Sequence, residues 1–228
     1  MNKRTTAADQ PNAREISKSR HRRVLLNAAA DAVYRFGVRG VTVARIQEIS
    51  NLSRGMISLH FGSKENLLLA MLKELSEEYT RNWRRAVGPD DANPARRLRA
   101  IIAADFSPDV LNPRNIAIWF AFRAEINSHP EYRPFVDSRE SDFRDALIKT
   151  CRELSNLEEE AVLAANALTA VLEGMWTDFL LNQAQFDREV ALEACLLVAR
   201  RLFPDIAESE WLGPIAPKAE DRTRETGG

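Results

Sequence analysis

Between Thr42 and Leu67 the chain reads TVARIQEISNLSRGMISLHFGSKENL, and no other stretch constrains the fold as tightly. Thr42 is placed to N-cap a short helix in which Val43, Ile46 and Ile49 recur at helical spacing. Asn51 falls at the turn, where a left-handed residue is needed and Asn tolerates positive φ. Ser53 then opens a second helix whose inner side is Ile57 with Phe61 four residues on, and Ser63 opens a third at Lys64 and Glu65. Helix, tight turn, helix is the layout in which the second helix projects its N-terminal residues into the major groove of DNA.

The charge distribution agrees. Net charge is −1, yet residues 1–65 hold twelve Lys and Arg against five acids, a local charge of +7 that leaves −8 for the remainder. A basic tail accounts for Lys3 to Lys18. It does not account for Arg45, Arg54 and Lys64 inside the motif, which form the electrostatic footprint of phosphate contact. Arg54, Gly55 and Met56 occupy the first turn of the second helix. A guanidinium suits a guanine edge, a glycine admits close backbone approach, and a thioether suits a thymine methyl. Ser58 and Leu59 lie further along the same exposed side.

Thr42, Ile46, Ser53, Gly55, His60, Phe61, Lys64 and Leu67 together resemble the DNA-binding segment of the TetR family of bacterial transcriptional regulators. Gln47, Ser50, Asn51, Ser58 and Leu59 depart from its pattern. The resemblance implies that Thr42, His60 and Lys64 grip the DNA backbone; Arg45, Ser53 and the recognition residues Arg54, Gly55, Met56, Ser58 and Leu59 complete the expected DNA surface. It also implies repression rather than activation, and two-fold dimers on double-stranded, palindromic operators. Within that family, the Gly-Met-Ile-Ser run and Trp119-Phe120-Ala121-Phe122 followed by Pro130 are similar to the choline-responsive betaine-pathway repressors of BetI type.

Along the chain the pattern predicts an all-α fold of about nine helices. The first spans roughly 19–36, with Gly37 ending it, and a long fourth helix runs from Lys64 to about Val87. Asn93-Pro94 and Asn112-Pro113 each set a capping residue before a first-turn proline, starting helices over about 94–105 and 113–128. Further helices are expected over 131–153, 157–183 and 187–203, the last capped by Asp187. The domains expected are a basic flexible arm at 1–18, a DNA-binding unit at 19–65, a ligand-binding and dimerisation unit at 66–204, and a disordered tail at 205–228.

Helix 157–183 is apolar nearly all round, and such a helix must be covered on most faces. Packing of the last two helices against a second copy satisfies that demand. Leu168, Leu172, Gly174, Met175, Val190, Ala194 and Leu197 are the expected interface, with Gly174 permitting close approach.

Enzyme chemistry has no foothold. The three histidines (21, 60 and 129) stand apart from one another and from the two cysteines, so neither a metal site nor a cofactor is expected. Cys151 and Cys195 lie in apolar patterns and read as buried thiols. Glu125 and Glu173, on otherwise apolar faces, read as ion-pairing residues rather than general bases. No run approaches the roughly 20 apolar residues of a membrane span, and no apolar signal segment opens the chain, so the cytoplasm is the expected compartment.

A set of aromatics remains: Phe106, Trp119, Phe120, Phe122, Tyr132, Phe135, Phe143, Trp176 and Phe179. Phe106, Trp119, Phe122, Arg123, Trp176 and Phe179 are the expected lining of a cavity for a small-molecule effector. A protein that binds DNA with no effector, dimeric through the same helices, is the alternative. Arg123 bears on ligand class. Turned inward, its guanidinium favours a carboxylate-bearing ligand unless an acid such as Glu125 neutralises it; turned outward, it leaves the class open. On this reading choline is not expected to be the effector.

Overall fold

The computed structural model describes residues 13–88, 93–136 and 142–212. Among them are eleven α-helices, one short 3-10 segment and no strand. They fall into two compact units, Met1–Glu74 and Leu75–Gly228, divided within the fourth helix rather than at its start.

In the first unit α1 (Ala13–Gly40) breaks its helical path at Gly37, whose φ of 66° the glycine alone among common residues adopts without strain. The helix begins well before residue 19, so part of the expected arm is helical; residues 1–12 lie outside the described residues. Thr42 caps α2 (Val43–Ser50) by accepting the Arg45 amide at 3.2 Å, and Asn51 closes it at φ 54°. Ser53 sits at the N-cap of α3 (Arg54–Phe61), but its hydroxyl makes no cap bond. Ser63 accepts the Asn66 amide at 3.1 Å and starts α4 (Lys64–Val87). The core joins Leu25, Ala29, Ala32 and Val33 of α1 to Ile46, Ile57, Leu67 and Leu72, each essentially without solvent contact. Each Leu, Ile or Val among them contributes roughly 1.5–3 kcal/mol by leaving water.

In the second unit the caps read from sequence are present. Asn93 opens α5 (Pro94–Asp105), Asn112 opens α6 (Pro113–Arg123), and Asp187 accepts two amides at the start of α10 (Arg188–Leu202). Helix 113–128 is shorter than expected: Pro130 holds His129 out of the helical region (φ −133°, ψ 75°), and residues 124–128 unwind into turns. The helix expected at 131–153 is divided into a 3-10 turn (Pro130–Tyr132), α7 (Arg133–Val136) and α8 (Asp142–Leu154). Next comes α9 (Glu158–Leu181), packed against α8, α6 and α10. Arg97 of α5 holds Glu153 of α8 through two bonds of 3.0 and 2.7 Å.

Beyond Pro204, where a disordered tail was expected, α11 (Glu208–Trp211) packs on α5 with Trp211 3% exposed. One indole is enough to dock this segment, since an aromatic of that size buries about 150–250 Å². The rest of the expected tail, 213–228, lies outside the described residues. Among the described residues no helix is long and apolar enough to cross a membrane.

Candidate nucleic-acid interface and ligand cavity

Recognition residues first. Arg54, Gly55, Ser58 and Leu59 of α3 are exposed, Leu59 to 70%, while Ile57 is turned into the core. A Cβ built on Gly55 meets nothing nearer than 4.0 Å, so the fold of this unit does not itself require glycine there. Met56 is half-buried. Arg45 is partly committed within the unit: it donates to the Gly40 carbonyl and its guanidinium lies 4.1 Å from the centre of the Phe36 ring. Lys64 donates to the Val41 carbonyl at 3.2 Å and pairs with Glu65 at 3.4 Å, tying the start of α4 to the residue before Thr42. His60 stacks edge-on to His21 at 6.2 Å, and Arg22 covers Phe61 at 4.7 Å, so α1 brings its basic residues alongside the end of α3. Burial, then the positive charges of His21, Lys18 and Arg22, pull the His60 pKa below its ordinary value.

The second unit holds a cavity of about 60 Å³ among α4, α5, α6, α7, α8 and α9, room for about four waters. Trp119, Arg123 and Trp176, all expected from sequence, line it. The other three expected residues do not. Phe106 and Phe122 are 3% and 0% exposed inside the core, Phe122 against Tyr132, while Phe179 packs on Phe186 at 5.2 Å. Tyr79, Asp105 and Thr169 line the cavity with no expectation from the sequence, as do Phe143 and Glu173, which were not among the expected lining. Asp105 had a signal: it follows Leu98, Ile101 and Ile102 on one buried stripe of α5, where a lone acid is out of place.

Charge in the cavity is arranged in pairs. Arg123 faces inward, donating from Nε to the Val136 carbonyl at 3.0 Å and from Nη2 to Glu173 Oε1 at 3.3 Å. The neutralising acid is thus Glu173 rather than Glu125, which is buried and does not line the cavity. Asp105, 2% exposed, accepts the Tyr79 hydroxyl at 2.7 Å. Burial pushes its carboxyl up to about 7, against the smaller opposing effects of the Tyr79 bond and the Arg123 charge. Trp119, Trp176, Tyr79 and Phe143 form the walls, with ring centres 5.5 to 6.3 Å apart. The Trp176 indole N–H is buried and has no acceptor among the described residues, a donor left unsatisfied at a cost of about 1–3 kcal/mol.

Residues 25–71 match the family described as bacterial regulatory proteins, tetR family, and residues 94–204 match the BetI-type transcriptional repressor, C-terminal family. The HTH-type transcriptional regulator BetI of Serratia proteamaculans (strain 568) is 30% identical over 174 residues, covering 75% of this chain and 86% of that protein. The chain belongs to the TetR family, in its BetI-type branch. A transcriptional regulator from Pseudomonas aeruginosa PAO1 is 26% identical and superposes with a TM-score of 0.72 over 82% of this chain and 91% of its own. A regulator from Saccharomonospora viridis, solved in complex with choline, is 19% identical, with a TM-score of 0.67 over 78% of this chain and 94% of its own, and shares the fold. As a TetR-family protein of BetI type, the chain is a DNA-binding transcriptional repressor and not an enzyme.

In this TetR-family chain the residues expected at a dimer interface divide into two sets. Leu168 and Leu172 are 0% and 2% exposed and belong to the chain's own core; Leu172 also lines the cavity. Gly174, Val190 and Leu197 are exposed, and Met175 and Ala194 are half-buried. Leu163 and Leu181, not among the expected residues, extend the same side of α9 at 66% and 72% exposure. Cys151 and Cys195 are free and buried, their thiols pushed up to about 12 and about 11 by desolvation.

Proposed function

We propose that this repressor acts in the cytoplasm as a homodimer on a palindromic operator and is released by a small organic cation bound in the α4–α9 cavity. The observation that carries the ligand class is Asp105, a buried carboxyl facing an aromatic-walled cavity in which the one cation among the described residues, Arg123, is already bonded to Glu173. Aromatic faces attract an ammonium by about 0.5–2 kcal/mol or more each when desolvated. The objection to choline raised from sequence was the repulsion of Arg123, and its pairing with Glu173 removes that objection. The choline complex of the Saccharomonospora viridis regulator makes choline the first compound to try.

Dimerisation is supported by the stripe Leu163, Ala170, Gly174 and Leu181 on α9 beside Val190 and Leu197 on α10, apolar yet exposed. A Cβ on Gly174 meets nothing within 4 Å of this chain, so any need for a small residue there comes from a partner. Two copies present two α3 helices, as two half-sites about one helical turn apart require. Release follows if the cation binds more tightly to an arrangement of the pair that does not match the operator. Thr42, Arg45, Ser53, Arg54, Gly55, Met56, Ser58, Leu59, His60 and Lys64 form the proposed DNA surface.

The test is fluorescence anisotropy of an operator fragment from the gene's own promoter, titrated with choline chloride and tetramethylammonium chloride against sodium chloride of equal ionic strength. Release by the organic cations beyond the salt control supports the reading. Silence across a panel of organic cations returns the protein to the reading without a cationic effector.

A further inference from the structure

Asp105 is a buried acid without a counter-ion. Among the described residues it has no salt-bridge partner, and its carboxylate accepts one hydrogen bond, from the Tyr79 hydroxyl. The charged and ionisable groups around it are Tyr79 on α4, Arg123 on α6, Glu173 on α9 and Cys195 on α10. Arg123 is held by Glu173 and the Val136 carbonyl, and Arg188 at the start of α10 is spent on the Phe106 and Leu111 carbonyls. Tyr79 stays protonated, pushed well above its ordinary range by the same burial and by the Asp105 charge. The Cys195 thiol, up at about 11, stays protonated as well.

A carboxyl so placed has two ways to be comfortable. It can carry a proton, or it can face a cation in the cavity. We propose that Asp105 is the counter-ion of the effector, and that binding a cation in the cavity expels the Asp105 proton to solvent. This rests on the cationic-effector reading above and adds to it a coupling between effector and proton. The balance is simple: protonated Asp105 plus cation gives the carboxylate–cation pair plus one released proton, with the Tyr79 bond kept throughout. Effector affinity therefore rises with pH while Asp105 is protonated in the free protein, and levels off once it is ionised.

The direction follows from the free carboxyl sitting at about 7. A nearby cation lowers that value, so below it binding must displace a proton, and Kd changes about tenfold per pH unit; above it, Kd is flat. Choline and tetramethylammonium are suitable probes because neither cation titrates in this range.

The experiment is calorimetric titration of the full-length protein, without DNA, in phosphate and in Tris at each pH, so that buffer ionisation reports proton release. Tetramethylammonium should release a large fraction of a proton per site at pH 6.5 and almost none at pH 8.5. Asp105→Asn, which keeps an acceptor for Tyr79, should bind at least about tenfold more weakly at pH 8.5, with no pH dependence between 6 and 8.5. The wild-type proton count stands without the variant if Asp105→Asn fails to fold. Binding of either probe with no proton release at pH 6.5 overturns the coupling while the cationic reading survives. Retention of the pH dependence in Asp105→Asn assigns the proton to another group and also overturns it. Failure of both probes to bind at about 10 mM and pH 8.5, where Asp105 is already charged, removes the cationic reading and the coupling with it.

Discussion

The ammonium of Lys64 donates to the carbonyl of Val41 across 3.2 Å, joining the first residue of α4 to the residue that precedes the cap of α2. The two ends of the helix-turn-helix are thereby fastened to each other by a side chain that is 28% exposed. An ammonium has three donors, so the bond to Val41 and the pair with Glu65 still leave one for a phosphate.

Lys64→Ala removes both roles, and they separate in measurement. Loss of a phosphate contact weakens every DNA sequence alike and lowers the slope of log affinity against log salt by about 1 per site. Loss of the Val41 bond lowers stability by about 1 kcal/mol, seen as a lower thermal midpoint without DNA. A lower midpoint with an unchanged salt slope would make Lys64 a brace for the motif and nothing more.

Arg54 is the opposite case. It stands exposed in the first turn of α3. Arg54→Ala should leave the thermal midpoint within about 0.5 kcal/mol of wild type, as surface substitutions do. In a binding selection over randomised operators, preference at one position per half-site should relax, since a bidentate guanine contact carries about 1–3 kcal/mol of discrimination. Uniform weakening across all sequences would reassign Arg54 to the phosphates.

What was legible in the sequence was local. Thr42, Asn93, Asn112 and Asp187 announce their helices because a cap acts on amides two or three residues away. The cavity was only half legible because its bonds span long stretches: Tyr79 to Asp105, and Arg123 to Glu173 fifty residues on. Phe106, Phe122 and Phe179 are as aromatic as Trp119 and Trp176, but which of them meets free space depends on how α5, α6 and α9 are rotated against one another. The same holds at the dimer face. Because α9 is apolar on nearly every side, its pattern does not tell Leu168 and Leu172, which face inward, from Leu163 and Gly174, which face out.

Asp105 also sets a pH dependence of stability. A carboxyl raised from its usual 3.8 to about 7 in the folded chain stabilises fully below the lower value and loses that contribution as pH rises through the higher one. Unfolding without ligand should therefore require less denaturant at pH 8 than at pH 5.5. Asp105→Asn should flatten the difference, with a stabilisation of at most about 4 kcal/mol at pH 8 and about half that at pH 5.5. A wild-type midpoint that does not fall between those pH values would mean that the carboxylate is better solvated than its 2% exposure implies.

The dimer face offers a substitution that spares the fold. Leu197 is 49% exposed on α10, beside Val190 at 65%. Leu197→Glu should change monomer stability by less than about 0.5 kcal/mol, while placing a charge where a partner's apolar surface is expected. Sedimentation should then show a monomer, and affinity for a two-half-site operator should drop towards that for one half-site. A variant that stays dimeric would move the interface elsewhere.

Trp176 supplies the last prediction. Its ring lines the cavity, and its N–H is buried with no acceptor among the described residues, an unmet donor in the free protein. Trp176→Phe keeps an aromatic face and deletes that donor. The smaller ring leaves a void, while removal of the unsatisfied N–H is favourable, so the two effects offset and stability should stay within about 1 kcal/mol of wild type. Binding should not respond evenly. Tetramethylammonium offers only a cationic surface, which phenylalanine still faces, and its affinity should fall little. Choline adds a hydroxyl oxygen that the indole N–H can satisfy, and losing that bond should cost about 0.5–1.5 kcal/mol, or up to roughly tenfold in Kd. The ratio of the two affinities in wild type and variant is the decisive quantity. If both ligands weaken by the same factor, Trp176 contributes a wall and its N–H plays no part in choosing the effector.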